Sequence, residues 1–386
     1  MHGRAVVVGV GESEYYKHGG APETEFQLAC KAIRRAVEDA GLDLSEVDGL
    51  TTYMDQRNSP LRLAEALGLK ELRWSMTPLA GGGNNSAAAL MCADAAVSAG
   101  YASYVVAFRA LAQGQFHRLG SGQGGGGDGA RGMAWGRPYG LMTPAQECAM
   151  HTKRWMHDHG VSQDALGSIA LACYANAQRN PRAVRYGRPL TREDYHASRW
   201  IVEPFHLFDC CQENDGAAAL VVTTPERARD LKSTPVSILA AAQGMGPDIG
   251  ARSFQGKWFP GTFYENVGKM LWERAGAKPA DVDTVQMYEN FTGPVLMALC
   301  EMGFCEPEEV EAFVGDGRLE GPDAALPFNT SGGNLAEAYI HGLEMVIEAV
   351  RQVRGDSTCQ APKVELSLAA GGPGYAPGSA VLFGRA

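Results

Sequence analysis

An α/β fold made of two related halves is what this sequence predicts, and three observations carry it. Strand-like apolar runs alternate with helical patterns from end to end. RAVVVGVGE opens the first half and LVVTTPERARDL closes it; PVSILAAAQG, ALPFN, KVELSLAAGG and GSAVLFGRA form the second. Such alternation marks βαβ units, so each half is a mixed sheet with helices, and the two pack into one layered unit. The second observation is an internal echo. AVEDAGLDLSEVDGLTTY (36–53) and LWERAGAKPADVDTVQMY (271–288) match without a gap at Ala40-Gly41, Val47-Asp48 and Tyr53 against Ala275-Gly276, Val282-Asp283 and Tyr288. Each reads as an amphipathic helix, a glycine stop, a turn and a buried strand. The third is a later echo in the same order. Gly82-Gly83-Asn84 begins an alanine-rich helix, and Gly332-Gly333-Asn334 begins another that runs on through NLAEAYIHGLEMVIEAVRQVRG. Pro225, Lys232 and Pro235 interrupt the pattern, which divides the chain into 1–232 and 233–386.

The 386 residues suffice for a large core or for two similar halves. Hydrophobic residues make up 45% and charged residues 20%, ordinary for a globular protein. The net charge of −10 argues against a general nucleic-acid binder, while leaving room for a local basic patch that holds a phosphate. No run of about 18 apolar residues is present, so no membrane-spanning helix is expected. The N-terminus reads as a first strand, not a signal peptide. Nine cysteines, with Cys210 and Cys211 adjacent, lack metal-ligand spacing and suggest reduced thiols in the cytoplasm. VVVGVGES invites a dinucleotide reading, but it lacks the third glycine and the prompt helix, so that reading is rejected.

The functional motifs lie in four places: EPFHLFDCCQENDGAAALVVTTPERAR (203–229), YENFTGPVLMALCEMGFC (288–305), LPFNTSGGNLAEAYIHG (326–342) and GGPGYAPGSAVLF (371–383). In this order they resemble the thiolase superfamily over nearly the whole chain, closest to its sterol-carrier-protein type. The resemblance implies a layered α/β/α/β/α fold with two mixed five-stranded sheets. A thiolase also needs a cysteine thiolate at the start of the first-half helix. Alignment puts Gly83 there, Leu368 at the second cysteine, Tyr339 at the histidine and Tyr288 at the asparagine of the Asn-Glu-Ala-Phe motif. Four reactive positions have changed within an intact glycine framework.

That pattern resembles thiolase-like aldolases that shorten steroid side chains. The resemblance implies retro-aldol cleavage of a β-hydroxyacyl-CoA by two tyrosines, without a cofactor or metal. The implied substrate is a 17-hydroxy steroid side-chain CoA thioester, giving a 17-ketosteroid and propionyl-CoA. It also implies a homodimer and a small zinc-ribbon/OB-fold partner. Cleavage of this kind needs a base for the β-hydroxyl, donors for the thioester oxygen and an acid for the α-carbon. Two phenols can exchange these roles. Tyr339 is assigned to the hydroxyl proton and Tyr288 to the enolate or α-carbon. His341 either orients Tyr339 or lines the pocket, with a structural histidine as the alternative. Asn329 and Asn290 are candidate oxyanion donors. Gly371 and Gly372 either offer amides to the thioester or form a tight turn. Glu289 is the companion carboxylate, functional or structural.

Two other functions remain open: a non-catalytic CoA-binding scaffold, and a thiolase with a relocated nucleophile such as Cys210 or Cys211. The glycine-rich loop 114–140 is expected to border the pocket and the dimer mate. The aromatic segment 253–266, with Phe254, Trp258, Phe259, Phe263 and Tyr264, is expected as core, pocket wall or partner surface.

Overall fold

The computed structural model describes residues 5–54, 57–78, 82–116, 136–246, 259–374 and 377–386. Most of the glycine-rich loop (117–135) and the first half of the aromatic segment (253–258) therefore lie outside the described residues. The strands are β1 (Val6–Glu12), β2 (Tyr16–Lys17), β3 (Gly49–Thr51), β4 (Trp74–Met76), β5 (Val105–Ala112), β6 (Trp200–Val202), β7 (Phe205–His206), β8 (Asn214–Thr223), β9 (Val236–Gly244), β10 (Thr284–Met287), β11 (Leu366–Ala370) and β12 (Gly378–Arg385). The helices used below are α1 (Glu25–Ala40), α2 (Ser86–Ser98), α3 (Pro144–His159), α4 (Gln163–Ala177), α5 (Tyr264–Ala275), α6 (Thr292–Glu301), α7 (Gly333–Ala336) and α8 (Leu343–Arg354).

The α/β class is as expected, but the sheets are not separate. Ten of these strands form one sheet in the order β10-β11-β12-β9-β1-β8-β5-β3-β4, with β2 added beside β8, and β6 and β7 pair as a separate two-stranded sheet. The first strands of the two halves, β1 and β9, pair antiparallel at Val6–Ser237 and Val7–Val236. Each would otherwise leave an edge of unpaired amides inside the molecule. Among the described residues, the second half also lacks a full fifth strand. ALPFN contributes only an isolated bridge, Val285 to Phe328. Pro327 accepts from Val285 N but has no N–H to extend the ladder.

Alternation along the strands sorts the core into layers. Val6, Val8, Val106, Phe108, Ala217, Ala219 and Val221 face α1, which presents Leu28, Ala29, Ala32, Ile33, Ala36 and Val37 at helical spacing. Val7, Val105, Ala107, Leu220, Ala369, Val381 and Phe383 face the opposite way, onto α2 and α8. Ala240, Ala242, Leu368, Val285 and Met287 turn outward onto α4, α5 and α6. The order of layers is α, first-half strands, α, second-half strands, α, the strands of both halves belonging to the one sheet. Helix α2 is alanine-rich because it touches strands of both halves and is buried on nearly every side.

The duplication extends to individual hydrogen bonds. Asp48 accepts from Ser103 N (2.8 Å) and Tyr104 N (2.9 Å) just ahead of β5. Asp283 accepts from Glu365 N (2.7 Å) and Leu366 N (2.9 Å) at the start of β11. Both helices ahead of these aspartates stop at a left-handed glycine, Gly41 and Gly276. No described helix is long and apolar enough to cross a membrane.

The glycines of VVVGVGE serve packing. A Cβ on Gly9 would lie 2.1 Å from the Ala36 carbonyl oxygen, and one on Gly11 2.4 Å from that of Ala32. They let α1 lie directly on β1. Gly9→Ala is therefore expected to destabilise the fold by about 1–3 kcal/mol, the usual cost of overpacking. Chemical denaturation should show a lower midpoint; an unchanged midpoint would contradict the packing argument.

Candidate active site

Tyr288 directly follows β10, and its N–H extends the parallel ladder to Ala370 O (3.0 Å). It stands at the C-terminal end of a parallel strand, where α/β folds gather their chemistry. Tyr339 sits in a break between α7 and α8. The single long helix expected from Asn334 onward does not form. The carbonyls of Ala336 and Glu337 accept from Arg185 N and Val184 N, and Tyr339 N donates to Asn214 Oδ1 (2.9 Å). With those groups diverted the helix stops, and His341 (φ 55°) and Gly342 (φ 84°) turn the chain into α8.

The break delivers Tyr339 to Tyr288. Their hydroxyls are 2.8 Å apart, with Tyr288 donating, and both rings are buried. Three glycines make room for Tyr288. A Cβ on Gly83 would lie 2.1 Å from its ring and 2.7 Å from its hydroxyl. One on Gly342 would lie 2.7 Å from the ring, and one on Gly372 3.1 Å. Gly83 is the residue that aligns with a nucleophilic cysteine; Tyr288 fills the space that a side chain there would take. Leu368 is wholly buried within β11.

Burial pushes both phenols well above their ordinary value of 10.0. For Tyr288 the neighbouring Tyr339 adds to the rise. For Tyr339 nearby Cys211 adds to it, while the hydrogen bond from Tyr288 and the charge of Arg109 oppose it. Both phenols are neutral in the resting protein, and a phenolate at Tyr339 has two groups ready to stabilise it.

His341 packs edge-on against Tyr339, with ring centroids 5.1 Å apart. Its Nδ1 accepts from Arg109 Nε (3.2 Å) and lies 3.0 Å from Arg109 Nη2. Its carbonyl accepts from Tyr53 Oη (2.8 Å). Tyr53 and Tyr288, the matched tyrosines of the internal repeat, thus converge on one segment. The motifs do not single out Arg109. Its signal is the lone charge in the apolar strand VVAFRALA, where it is 1% exposed.

The other candidates divide. Asn290 lines the same cavity as Tyr339, and its Oδ1 accepts from Phe291 N. Asn329 is engaged elsewhere. Its side chain pairs with the Met287 backbone in both directions (2.8 and 2.9 Å), and its second N–H points to Cys173 Sγ. The strand end that carries Tyr288 is fixed in this way. The Gly371 amide is committed to Ser379 O (2.8 Å), so the tight-turn reading describes it, and Gly372 lies beneath the Tyr288 ring. Glu289 accepts from Leu335 N (3.2 Å) and Asn334 Nδ2 (3.1 Å) at the start of α7, and burial raises its carboxyl to about 7. It organises the glycine turn below the phenols.

A cavity of about 570 Å³ opens onto Tyr339. Apolar Tyr174, Leu207, Phe208 and Phe291 line it, together with Cys210, Cys211 and Asn290. Lys17, His18 and Arg199, exposed, and Arg185, half-buried, also line it. Burial pushes the thiols of Cys210 and Cys211 up, so neither is a thiolate at neutral pH.

The fold and site define a thiolase-type scaffold with a phenol pair where the thiolase nucleophile and base would stand. A family described as "Thiolase C-terminal domain-like" matches residues 258–383. The "Steroid side-chain-cleaving aldolase" of Thermomonospora curvata is 41% identical, the match covering 100% of this chain and 98% of that protein. The "17-hydroxy-3-oxo-4-pregnene-20-carboxyl-CoA lyase" of Mycobacterium tuberculosis is 40% identical, with 100% of both covered. A solved structure described as "Ltp2-ChsH2(DUF35) aldolase" superposes with a TM-score of 0.92 at 40% identity, covering 100% of this chain and 98% of the other. The chain belongs to this family of thiolase-like steroid side-chain-cleaving aldolases.

The clash at Gly83 generates a test. Gly83→Ala should lower stability by about 1–3 kcal/mol, and adding Tyr288→Ala should recover part of that loss. A double-mutant cycle measures the coupling. Additive effects would mean that the ring and the helix start do not share one space.

Proposed function

We propose that the chain is a carbon–carbon lyase that cleaves a β-hydroxyacyl-CoA by a retro-aldol reaction. The observation that carries the reading is the hydrogen bond between two buried phenols, at a helix start with no room for a nucleophile. Tyr339, which lines the cavity, takes the β-hydroxyl proton as the bond between the α- and β-carbons breaks. The electron pair passes into the thioester enolate, and the pair of phenols returns a proton to the α-carbon. One proton moves from oxygen to carbon and none is released, so two neutral phenols that exchange protons suffice. Tyr339 gives its own proton toward the α-carbon as it receives that of the β-hydroxyl, so it ends neutral; Tyr288 donates to its oxygen throughout, and the Asn290 amide is the donor offered to the thioester oxygen.

The substrate we propose is a 17-hydroxy steroid side-chain CoA thioester, cleaved to a 17-ketosteroid and propionyl-CoA. The names of the two relatives support it. The cavity also fits: apolar side chains suit a steroid and pantetheine, and Lys17, Arg185 and Arg199 suit the CoA phosphates in a chain of net charge −10. We further propose a homodimer, divided into halves at 232/233, assembled with a zinc-ribbon/OB-fold partner. Support for the partner comes from the solved aldolase whose description includes a DUF35 component. The relocated-nucleophile reading draws no support from Cys210 or Cys211, whose thiols are neutral.

Turnover of the 17-hydroxy steroid CoA thioester should yield both products in equal amounts. Tyr288→Phe and Tyr339→Phe should each slow cleavage by about a hundredfold or more while acyl-CoA still binds. Wild-type cleavage that persists unchanged in both variants would reject the phenol assignment, and a wild type that binds without cleaving would favour a scaffold. Cys210→Ser and Cys211→Ser should leave turnover largely intact. Because burial raises both phenols, ultraviolet titration of the free protein should show neither ionising below pH 10. Ionisation of either near neutrality would replace the proton-exchange scheme with a preformed phenolate.

A further inference from the structure

We infer that Arg109 is a positioning residue that holds His341 as a neutral imidazole, with its proton on Nε2, beside the two phenols. A guanidinium carries only donors and keeps its charge at any pH a protein survives. Arg109 Nε donates to His341 Nδ1 at 3.2 Å, and Nη2 lies 3.0 Å from the same atom. Nδ1 must therefore present its lone pair, and the ring proton of neutral His341 resides on Nε2. Protonating Nδ1 would expel both donors and set a second cation against the first, at a site where Arg109 is 1% and His341 2% exposed.

The surroundings hold this arrangement in place. Arg109 Nη1 donates to the Tyr53 carbonyl (3.2 Å), and Tyr53 Oη donates to the His341 carbonyl (2.8 Å). Arg109 and Tyr53 grip the histidine by side chain and backbone together. His341 itself has φ 55°, a left-handed conformation that a non-glycine residue keeps only when its neighbours over-determine it. The direct links run Arg109 to His341, His341 edge-on to Tyr339, and Tyr339 to Tyr288.

Two consequences follow, and both rest on the retro-aldol reading; the tautomer does not. A histidine beside Tyr339 would ordinarily be the strongest base near neutrality. With Nδ1 occupied by a guanidinium it cannot take the β-hydroxyl proton, so that proton is left to the phenol. The fixed charge of Arg109 also favours a phenolate at Tyr339 over one at a more distant group.

The wild-type protein supplies the deciding measurement. Nitrogen NMR of the full-length chain labelled in its nine histidines should show His341, assigned by its loss in His341→Gln, as one neutral form. Nδ1 should be unprotonated and Nε2 protonated throughout the neutral range. A titrating His341, or a proton on Nδ1, overturns the inference whether or not the protein cleaves any steroid. Turnover then tests the positioning role. Arg109→Lys keeps a charge but loses the fork, and Arg109→Met loses both. Each should lower kcat by about tenfold or more, with KM for the CoA thioester little changed, and His341 should begin to titrate in Arg109→Met. Folded variants with unchanged kcat, or with the loss confined to KM, overturn the role. Tyr53→Phe leaves the Nδ1 contact intact and should retain the wild-type tautomer; a switched tautomer there counts against Arg109 as its cause.

Discussion

The hydrogen bond between Tyr288 and Tyr339 constrains everything around it. The two residues lie on segments from different parts of the second half, one at a strand end and one in a helix break. For their hydroxyls to meet, the helix after Gly332-Gly333 must stop early. The backbone groups so released find partners at residues 184–185 and at Asn214. Room for the Tyr288 ring then requires no side chain at Gly83, Gly342 or Gly372. The absent side chain at Gly83 and the Tyr288 ring are thus two sides of one packing contact. Restoring a cysteine at position 83 alone would collide with Tyr288.

Burial gives the pair its chemical character. In water a phenol with a pKa of about 10 is a modest acid and its phenolate a modest base. Out of water the phenolate form of each becomes costly, so the resting pair is neutral. A neutral pair suits a reaction that transfers a proton without releasing one. The same burial makes the Arg109 charge felt at Tyr339, because fewer water molecules screen it.

The internal repeat also explains why the site is shaped as it is. Asp48 and Asp283 tie equivalent strand starts, and Tyr53 and Tyr288 emerge from equivalent positions. One half uses its tyrosine to hold the His341 backbone, the other to meet a second phenol. Equivalent positions of the two halves have been put to two uses, one tyrosine bonding a backbone carbonyl and the other a second phenol.

Sequence alone determined the class of fold, the internal echo and most of the strands, and it drew notice to the two tyrosines whose hydroxyls the fold brings together, because these depend on local periodicity and on motif order. The helix 86–98 and the glycine stops at 41 and 276 are local in the same sense. It did not determine the pairing of β1 with β9, since a hydrogen bond across some 230 positions leaves no trace in pattern. Nor did it show the break before α8: the run from Asn334 has helical character, and only competing partners at 184–185 and 214 end it. Asn329 read as an oxyanion donor, and Gly371 as either a donor or a tight turn, until the fold committed their amides to Met287 and Ser379. Arg109 stood as one charge in a strand until the fold set it against His341. A side chain's chemistry is written in its type, but whether its donors are free is decided by what packs against it in three dimensions.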